Sequence, residues 1–470
     1  MSGNRKKSDG FLAKTLEGVL YVIFVVLGFY LAFLIRFDMS PSSVNSEPFY
    51  DNIPYMIILS IIVFYLYDIV STAKKSLFEN AVTIGVSLIV IDIMTVAIVF
   101  FNRGFAFPRS VFLIGFFIQF AFIFTFKVIV LMIIRLKRIP QKIMIIAPKE
   151  EAEYIAKKLL LDNFNFDNIK YIINQISSET YKLINGVEKV YIGNEVNNQD
   201  KLNIIKYCSE KNKTVYIVPG LFEIALVNSK TTQIKDMLVF KVESMGLTFE
   251  QKVMKRFLDI IVSFVGLVIL FPLLVIVAII IKLYDGGPIF YKQKRVTKDN
   301  KIFDLYKFRT MIVDAEKNIG PVLASERDPR ITPIGRFLRA SRIDEISQLL
   351  NVIKGDMSIV GPRPERPFFV EKFNEEVDEF KYRVFVKAGI TGLAQILGKY
   401  STDPENKAKY DLLYIRDYSL LLDIKIIFNT IKIMFIKDSS KGVAKDKELD
   451  EIFKELNLNV YKEFGATRID

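Results

Sequence analysis

The stretch IIVSFVGLVILFPLLVIVAIII, residues 260–281, carries no charge and has Pro272 near its midpoint. A proline inside a helix lacks the amide hydrogen that would bond to the preceding turn, and its ring clashes there. A helix through this stretch is therefore expected to bend at Phe271-Pro272. The flanks are basic on both sides: Lys252, Lys255 and Arg256 come before, and Lys282, Lys292, Lys294 and Arg295 come after. Basic residues beside membrane segments collect on the cytoplasmic face, so these flanks predict a re-entrant helix that enters the bilayer, bends and returns. A kinked helix that crosses is the rival on these features alone.

The chain of 470 residues is 51% hydrophobic, which allows two or three domains and places part of it in lipid. Its formal charge of +12 clusters beside apolar segments, and no basic stretch has the signature of a nucleic-acid module. Anionic lipid and phosphorylated substrates are the expected partners, and nucleic acid is not. Cys208 stands alone, which excludes an intrachain disulfide, and the chain has no histidine. Catalysis must then rest on carboxylates, Lys, Arg, Tyr or hydroxyls, without His-dependent triads or the common zinc sites. Arg5-Lys6-Lys7 precedes the first apolar run with no small-residue cleavage signal after it, as in an uncleaved anchor.

Upstream, residues 18–35, 53–73, 81–101 and 110–134 are each near the length that crosses a bilayer, giving four transmembrane helices within 1–138. Basic residues before the first span, between the second and third (Lys74, Lys75) and after the fourth (Arg135, Lys137, Arg138, Lys142) predict a cytoplasmic N-terminus and four crossings. Arg103 and Arg109 oppose this weakly. Asp92 and Lys127 lie within spans and invite a transporter reading, against which stands a structural ion pair or a snorkelling side chain. Residues 139–225 alternate strands (142–146, 169–173, 187–192, 214–218) with helices (150–161, 201–208), the pattern of a small doubly wound α/β domain. Ala147-Pro148-Lys149-Glu150 stands where a dinucleotide-binding fold needs a glycine-rich turn, so the domain reads as degenerate Rossmann-like, with a structural or regulatory role. Residues 226–251 read as a linker. The first ten residues and the charged tail, 438–470, are expected to be mobile.

The candidate chemistry follows the opening stretch. Leu283-Tyr284-Asp285-Gly286-Gly287-Pro288 is a turn signal, and residues 304–311 alternate apolar groups with Lys307 and Arg309 as a half-buried strand would, placing both cations on one face. In residues 339–350, Ile343, Ile346, Leu349 and Leu350 mark an apolar helical face, and Ser341 is placed to cap it with Asp344 three residues on. Asp344 and Glu345 read either as first-turn acids that complement the helix dipole or as a site for phosphate and a divalent metal. Arg339 and Arg342 favour the second, being unfavourable at a helix N-terminus unless an anion sits there. Pro362 and Pro364 stiffen the turn that presents Arg363, either as a phosphate ligand or as a rigid surface turn. Residues 387–395 form a glycine-punctuated loop ending at Gly398-Lys399. Residues 420–436 are mostly apolar, with Asp423 among them, and read equally as an interface helix or as core.

In this order the motifs closely resemble the bacterial sugar transferases, the monotopic polyprenyl-phosphate phosphoglycosyl transferases. The matching residues are the Pro272 hairpin, Tyr306 to Met311, Asp328-Pro329-Arg330, Ile343-Asp344-Glu345, Lys354 to Ser358, Gly361 to Glu365 and Gly389 to Gln395. The N-terminal spans and the α/β domain resemble the long members of that family. The resemblance implies a membrane protein of α and α/β class, with a catalytic domain over 252–437 whose re-entrant helix is 257–283. It also implies transfer of sugar 1-phosphate from a UDP-sugar to undecaprenyl phosphate with release of UMP, at the cytoplasmic face of the bacterial plasma membrane. By position, Asp344 would be the nucleophile and Glu345 would hold Mg²⁺. Lys307, Arg339 and Arg363 would neutralise phosphate charge, Arg309, Arg363 and Lys399 would bind substrate, and Asp423 matches a further acidic position in the substrate site. Three positions depart from the family pattern: Phe271 where Ser is frequent, Lys399 where a nucleotide-contacting Arg is common, and Arg342 where a small polar residue is common. The rival is a non-catalytic scaffold or regulator of polysaccharide assembly. Self-association into a homo-oligomer is left open, as is the sugar.

Overall fold

The computed structural model describes residues 2–40, 43–70, 75–102, 107–162, 167–312, 328–398, 402–436, 448–456, 458–463 and 466–469. It divides into two units, one of residues 1–136 with 245–442 and one of residues 137–244 with 443–470.

The first unit opens with four long helices: α1 (Ser2–Arg36), α2 (Ser43–Leu66), α3 (Leu77–Phe101) and α4 (Arg109–Lys137). Each contains a segment long and apolar enough to cross a membrane. Their shared interior is aromatic and branched, with Tyr21, Phe29, Phe33, Tyr67, Leu88 and Ile123 buried. Lys127 is held by Glu17 at 2.8 Å, and its ammonium also donates to Ile69 O at 3.1 Å. Tyr21 donates to the same Glu17 carboxylate. The intramembrane lysine is thus a structural pair, with a partner from α1 and not Asp92. That choice of partner was illegible because helix packing, not spacing along the chain, decides which faces meet.

In the second unit β1 (Lys142–Ile146), α5 (Lys149–Leu160), β2 (Asn168–Ile173), α6 (Ser178–Ile184), β3 (Lys189–Ile192), α7 (Asn198–Glu210) and β4 (Thr214–Ile217) alternate as expected, with α6 a helix beyond the two expected. The four strands are parallel, in the order β2-β1-β3-β4. Alternation along β1 sends Ile143 and Ile145 to one core and Met144 and Ile146 to the other, so both faces of the sheet are covered. Beyond β4 come α8 (Leu221–Leu226) and an exposed hairpin of β5 (Lys230–Ile234) and β6 (Met237–Lys241).

At the strand ends where a dinucleotide would bind, the Glu151 carboxylate accepts from the backbone amides of Asn194 (2.5 Å) and Glu195 (3.2 Å). Two backbone amides at this end of the sheet are thus engaged by an internal anion.

The remainder of the first unit begins with α9 (Phe249–Asp285), a helix that continues through Pro272 and ends at Gly286, whose left-handed φ of 70° suits a glycine. Large apolar side chains are exposed both before Pro272 (Phe257, Phe264, Ile269) and after it (Ile276, Ile279, Leu283), as lipid contact would require. Both arms nevertheless pack on one domain. Before the proline, Arg256 donates to Val352 O (2.6 Å) and Ile353 O (2.7 Å), and Asp259 accepts from Ser358 Oγ and Ile359 N. After it, Leu273, Leu274, Val277 and Ile281 form a cluster with Phe308 and Leu338.

Then follow β7 (Phe290–Val296), β8 (Ile302–Phe308), α10 (Pro333–Ala340), α11 (Leu349–Lys354), β9 (Ser358–Val360), α12 (Pro367–Glu376), β10 (Gly389–Thr391), α13 (Leu393–Leu397), α14 (Pro404–Arg416) and α15 (Leu420–Ile433). Strands β7 and β8 form an antiparallel hairpin, and β9 and β10 form a parallel pair. A Cβ on Gly389 would lie 2.1 Å from Gly361 N, and one on Gly361 would lie 2.4 Å from Lys387 O, so the glycine punctuation there serves close backbone packing. Helix α15 packs one face into the core. Asp423, Ile426 and Asn429 are buried and Asn429 donates to Leu66 O at 3.0 Å, while Leu421 and Ile431 stay exposed.

The last elements, α16 (Leu449–Glu455), β11 (Val460–Glu463) and β12 (Ala466–Ile469), belong to the second unit. There β12 pairs antiparallel with β2, and Leu449, Phe453 and Ile469 join the core. Residues 448–469 are therefore no mobile tail where described. Their charged composition hid five buried apolar residues, Leu449, Ile452, Phe453, Ala466 and Ile469, in the segment that covers an open sheet edge.

Candidate active site

The site is built on β8. Tyr306, at the strand's open edge, has both backbone groups taken by side chains: its amide donates to Asn351 Oδ1 (3.0 Å) and its carbonyl accepts from Ser347 Oγ (3.0 Å). Asn351 also donates to Asp304 O at 2.8 Å and is 0% exposed. These bonds fasten the segment 343–354 along the strand and set Asp344 and Glu345 beside Lys307.

That segment does not start as the expected α-helix capped by Ser341. Residues Ile343–Gln348 form a 3₁₀ helix, and Arg342 before them has a left-handed φ of 55°. The Ser341 hydroxyl donates backward to Phe337 O (2.8 Å) and Leu338 O (3.2 Å), closing α10. The left-handed residue breaks the chain direction, so Ser341 belongs to the preceding helix. Six residues of 3₁₀ helix carry little dipole, and the side-chain cations dominate the electrostatics.

Glu345 Oε1 accepts from both Lys307 Nζ (3.0 Å) and Arg363 Nη2 (2.8 Å). Burial would raise this carboxyl, but Arg363, Lys307 and Arg342 hold it well below the usual range. Asp344, 7% exposed, behaves oppositely: burial pushes it up to about 6, Lys307 pulls it down, Glu345 pushes it up, and Arg339 and Arg363 pull it down. Adjacent acids thus have separated acidities, a frequent mark of a reactive site. Four cations, Lys307, Arg339, Arg342 and Arg363, act on two carboxylates, which leaves a positive surplus for an anionic ligand.

Arg339 is placed through Thr310, its Nε donating to Thr310 Oγ1 at 2.8 Å. Helix α10 can lie this close because Gly335 has no side chain: a Cβ there would be 2.0 Å from Thr310 O. Asp328 binds Arg330 through Nε (2.8 Å) and Nη2 (2.5 Å) and lies in the field of Arg339.

Other sequence candidates lie elsewhere. Arg309 follows the last residue of β8, is buried, and packs its guanidinium where a Cβ on Gly287 would sit, 2.3 Å from Nη1. Asp423 is 1% exposed and bound to Lys255 Nζ (2.6 Å) and Tyr414 OH (2.7 Å), so its partners tie α9 to α14 and α15. Lys399 lies outside the described residues.

Missed by sequence reasoning were Asn351, Ser347 and Thr310, together with the buried pair of Arg383 and Asp411 at 2.6 Å. A lone amide inside Leu349-Leu350-Asn351-Val352 was a readable sign of a buried hydrogen-bonding role. Nothing local marked the others.

Residues 250–437 match the model of the bacterial sugar transferase family. A putative undecaprenyl-phosphate N-acetylgalactosaminyl 1-phosphate transferase of Bacillus subtilis is 52% identical over 130 residues, 28% of this chain and 72% of that one. The chain belongs to the bacterial sugar transferase family. Its other relatives include a UDP-N-acetylgalactosamine-undecaprenyl-phosphate N-acetylgalactosaminephosphotransferase of Aeromonas hydrophila. It is 41% identical over 181 residues, 38% of this chain and 43% of that one. A UDP-glucose:undecaprenyl-phosphate glucose-1-phosphate transferase of Klebsiella pneumoniae is 35% identical over 260 residues, 54% of this chain and 56% of that one. The chain thus spans about half the length of these two longer relatives, and the matched family region includes Asp344, Glu345 and their cations.

Proposed function

We propose that this sugar transferase moves sugar 1-phosphate from a UDP-sugar to undecaprenyl phosphate, releasing UMP and starting the assembly of a capsule, exopolysaccharide or O-antigen repeat. The observation that carries the reading is the Asp344-Glu345 pair under its four cations. Relatives named for transfer from UDP-sugars to undecaprenyl phosphate support it.

In the proposed first step a carboxylate oxygen of Asp344 attacks the sugar-bearing phosphorus. The bond from that phosphorus to the bridging oxygen breaks, and UMP leaves with the electron pair. An oxygen of undecaprenyl phosphate then attacks the same phosphorus, breaks the aspartyl phosphate bond and restores the carboxylate. Lys307, Arg339 and Arg363 offset the repulsion between anionic nucleophile and anionic phosphate, the chief obstacle in such transfers. The acceptor phosphate is already ionised, so no histidine base is required.

The donor set fits Mg²⁺ shared with a substrate. Glu345, whose Oε2 accepts from no donor among the described residues, would hold the ion by that oxygen. Bound there, the ion would neutralise the diphosphate. Of the remaining candidates Lys399 would bind the substrate, whereas Arg309, buried beside Gly287, and Asp423, buried between Lys255 and Tyr414, serve the packing of the domain instead.

The site would face the cytoplasm of the bacterial plasma membrane, where nucleotide sugars are made. A straight helix from Arg256 to Ile281 would be about 37 Å long, more than the hydrocarbon thickness. Since both arms of α9 pack on one domain, the re-entrant path is the reading that keeps the domain on one side. Purified protein with Mg²⁺, undecaprenyl phosphate and a panel of UDP-sugars should release UMP with at least one of them. Absence of UMP across the panel would sink the proposal.

A further inference from the structure

The turn that presents Arg363 is fastened through four consecutive carbonyls. Pro362 O accepts from Gly389 N (2.9 Å), Arg363 O from Arg383 Nη2 (3.1 Å), Pro364 O from Arg295 Nη1 (3.0 Å) and Glu365 O from Val296 N (3.0 Å). The bond to Arg363 itself comes from a buried side chain of the 3₁₀ segment Asp378–Phe385. Arg383 Nε donates to Asp411 Oδ2 at 2.6 Å, and its guanidinium lies over the Phe380 ring, 4.4 Å from the centroid. Asp411, on α14, is 1% exposed, and its Oδ1 has no hydrogen-bond partner among the described residues.

As a source of stability this pair is poorly built. Desolvating two charges cancels most of their attraction, and a half-satisfied carboxylate adds to the cost. Geometry is what the pair supplies, because Asp411 fixes the guanidinium plane so that Nη2 reaches Arg363 O. The turn needs such a hold, since a cavity of about 50 Å³ lined by Arg363, Glu365, Phe380 and Arg383 leaves it room to shift on that side. Across the turn, the Arg363 guanidinium meets Glu345 at 2.8 Å, where a displacement of one ångström would break the bond.

We infer that Arg383, oriented by Asp411, is a positioning residue that fixes Arg363 against Glu345 and the phosphate of the nucleotide sugar. Its kinetic consequence rests on the transfer reading above, whereas the tether itself does not.

The test uses the full-length membrane protein with Arg383→Lys, which keeps a charge for Asp411 but loses the planar fork that serves two partners. Amide exchange in peptides carrying Val296, Gly361 and Gly389 should quicken about tenfold without global unfolding. The KM for the UDP-sugar should rise about tenfold with kcat within about threefold of wild type. In an Arg363→Ala background the same change should add less than about twofold. Unchanged exchange and kinetics in a folded variant overturn the inference, and so does an equal loss in both backgrounds. If Arg383→Lys does not fold, Asp411→Asn takes its place, and failure of both to fold makes the pair a stability element and overturns the inference. If wild type releases no UMP, the transfer reading fails and the exchange result decides the tether alone.

Discussion

Lys307 Nζ lies 3.0 Å from Glu345 Oε1, and Arg363 reaches that same oxygen at 2.8 Å from the other side. Two cations on one oxygen should act as a unit. Lys307→Met and Arg363→Met are each expected to lower kcat/KM for UMP release by about 10²–10³-fold. The double variant should lose much less than the product of the two. Losses that multiply would place the two cations at separate points of the reaction.

The reaction should need Asp344 ionised. Burial raises its carboxyl to about 6, so the protonated, unreactive form prevails below that pH. On the acid side kcat/KM should climb about tenfold per pH unit and level off above pH 7, read as an apparent value of the coupled pair. Glu345→Gln removes the like charge that helps raise Asp344, so the acid limb of the residual activity should move to lower pH. A flat profile from pH 5 to 8 in wild type would exclude Asp344 as the titrating nucleophile.

Asn351 joins β8 to α11 through bonds to Tyr306 N and Asp304 O. Asn351→Ala strands both backbone groups in a buried place and should cost about 2–3 kcal/mol, measured as a fall in melting temperature. UMP release should fall as well, since Asp344 and Glu345 take their place from the same seam.

Removing everything after Gly442 takes away α16, β11 and β12, uncovering β2 and emptying Leu449, Phe453 and Ile469 from the core. Residues 137–244 should then be cut by trypsin at least about tenfold faster than in the full chain. Equal cleavage rates would mean that the four parallel strands stand without the added edge.

A cysteine placed by Lys282→Cys, in a Cys208→Ser background, should react with a membrane-impermeant thiol reagent only after the cells are permeabilised. Labelling in intact cells would overturn the re-entrant path of α9.

Much of this protein was decided by local chemistry legible in the chain. The apolar run 260–281 with its proline, the alternation of β1 to β4, and the neighbouring Asp344 and Glu345 are patterns of residues close in sequence, and they emerge as α9, a doubly wound sheet and the paired acids. Composition likewise excluded histidine chemistry. What only the tertiary structure decided are relations between segments far apart: Glu17 rather than Asp92 as the partner of Lys127, the chain's end entering the sheet beside β2, Ser341 turned back to α10, and Arg383 reaching Arg363 O. The physical reason is the same in each case. A buried charge or an open backbone edge demands a partner but does not specify which one, and the choice falls to whichever group the packing of distant elements brings within about 3 Å.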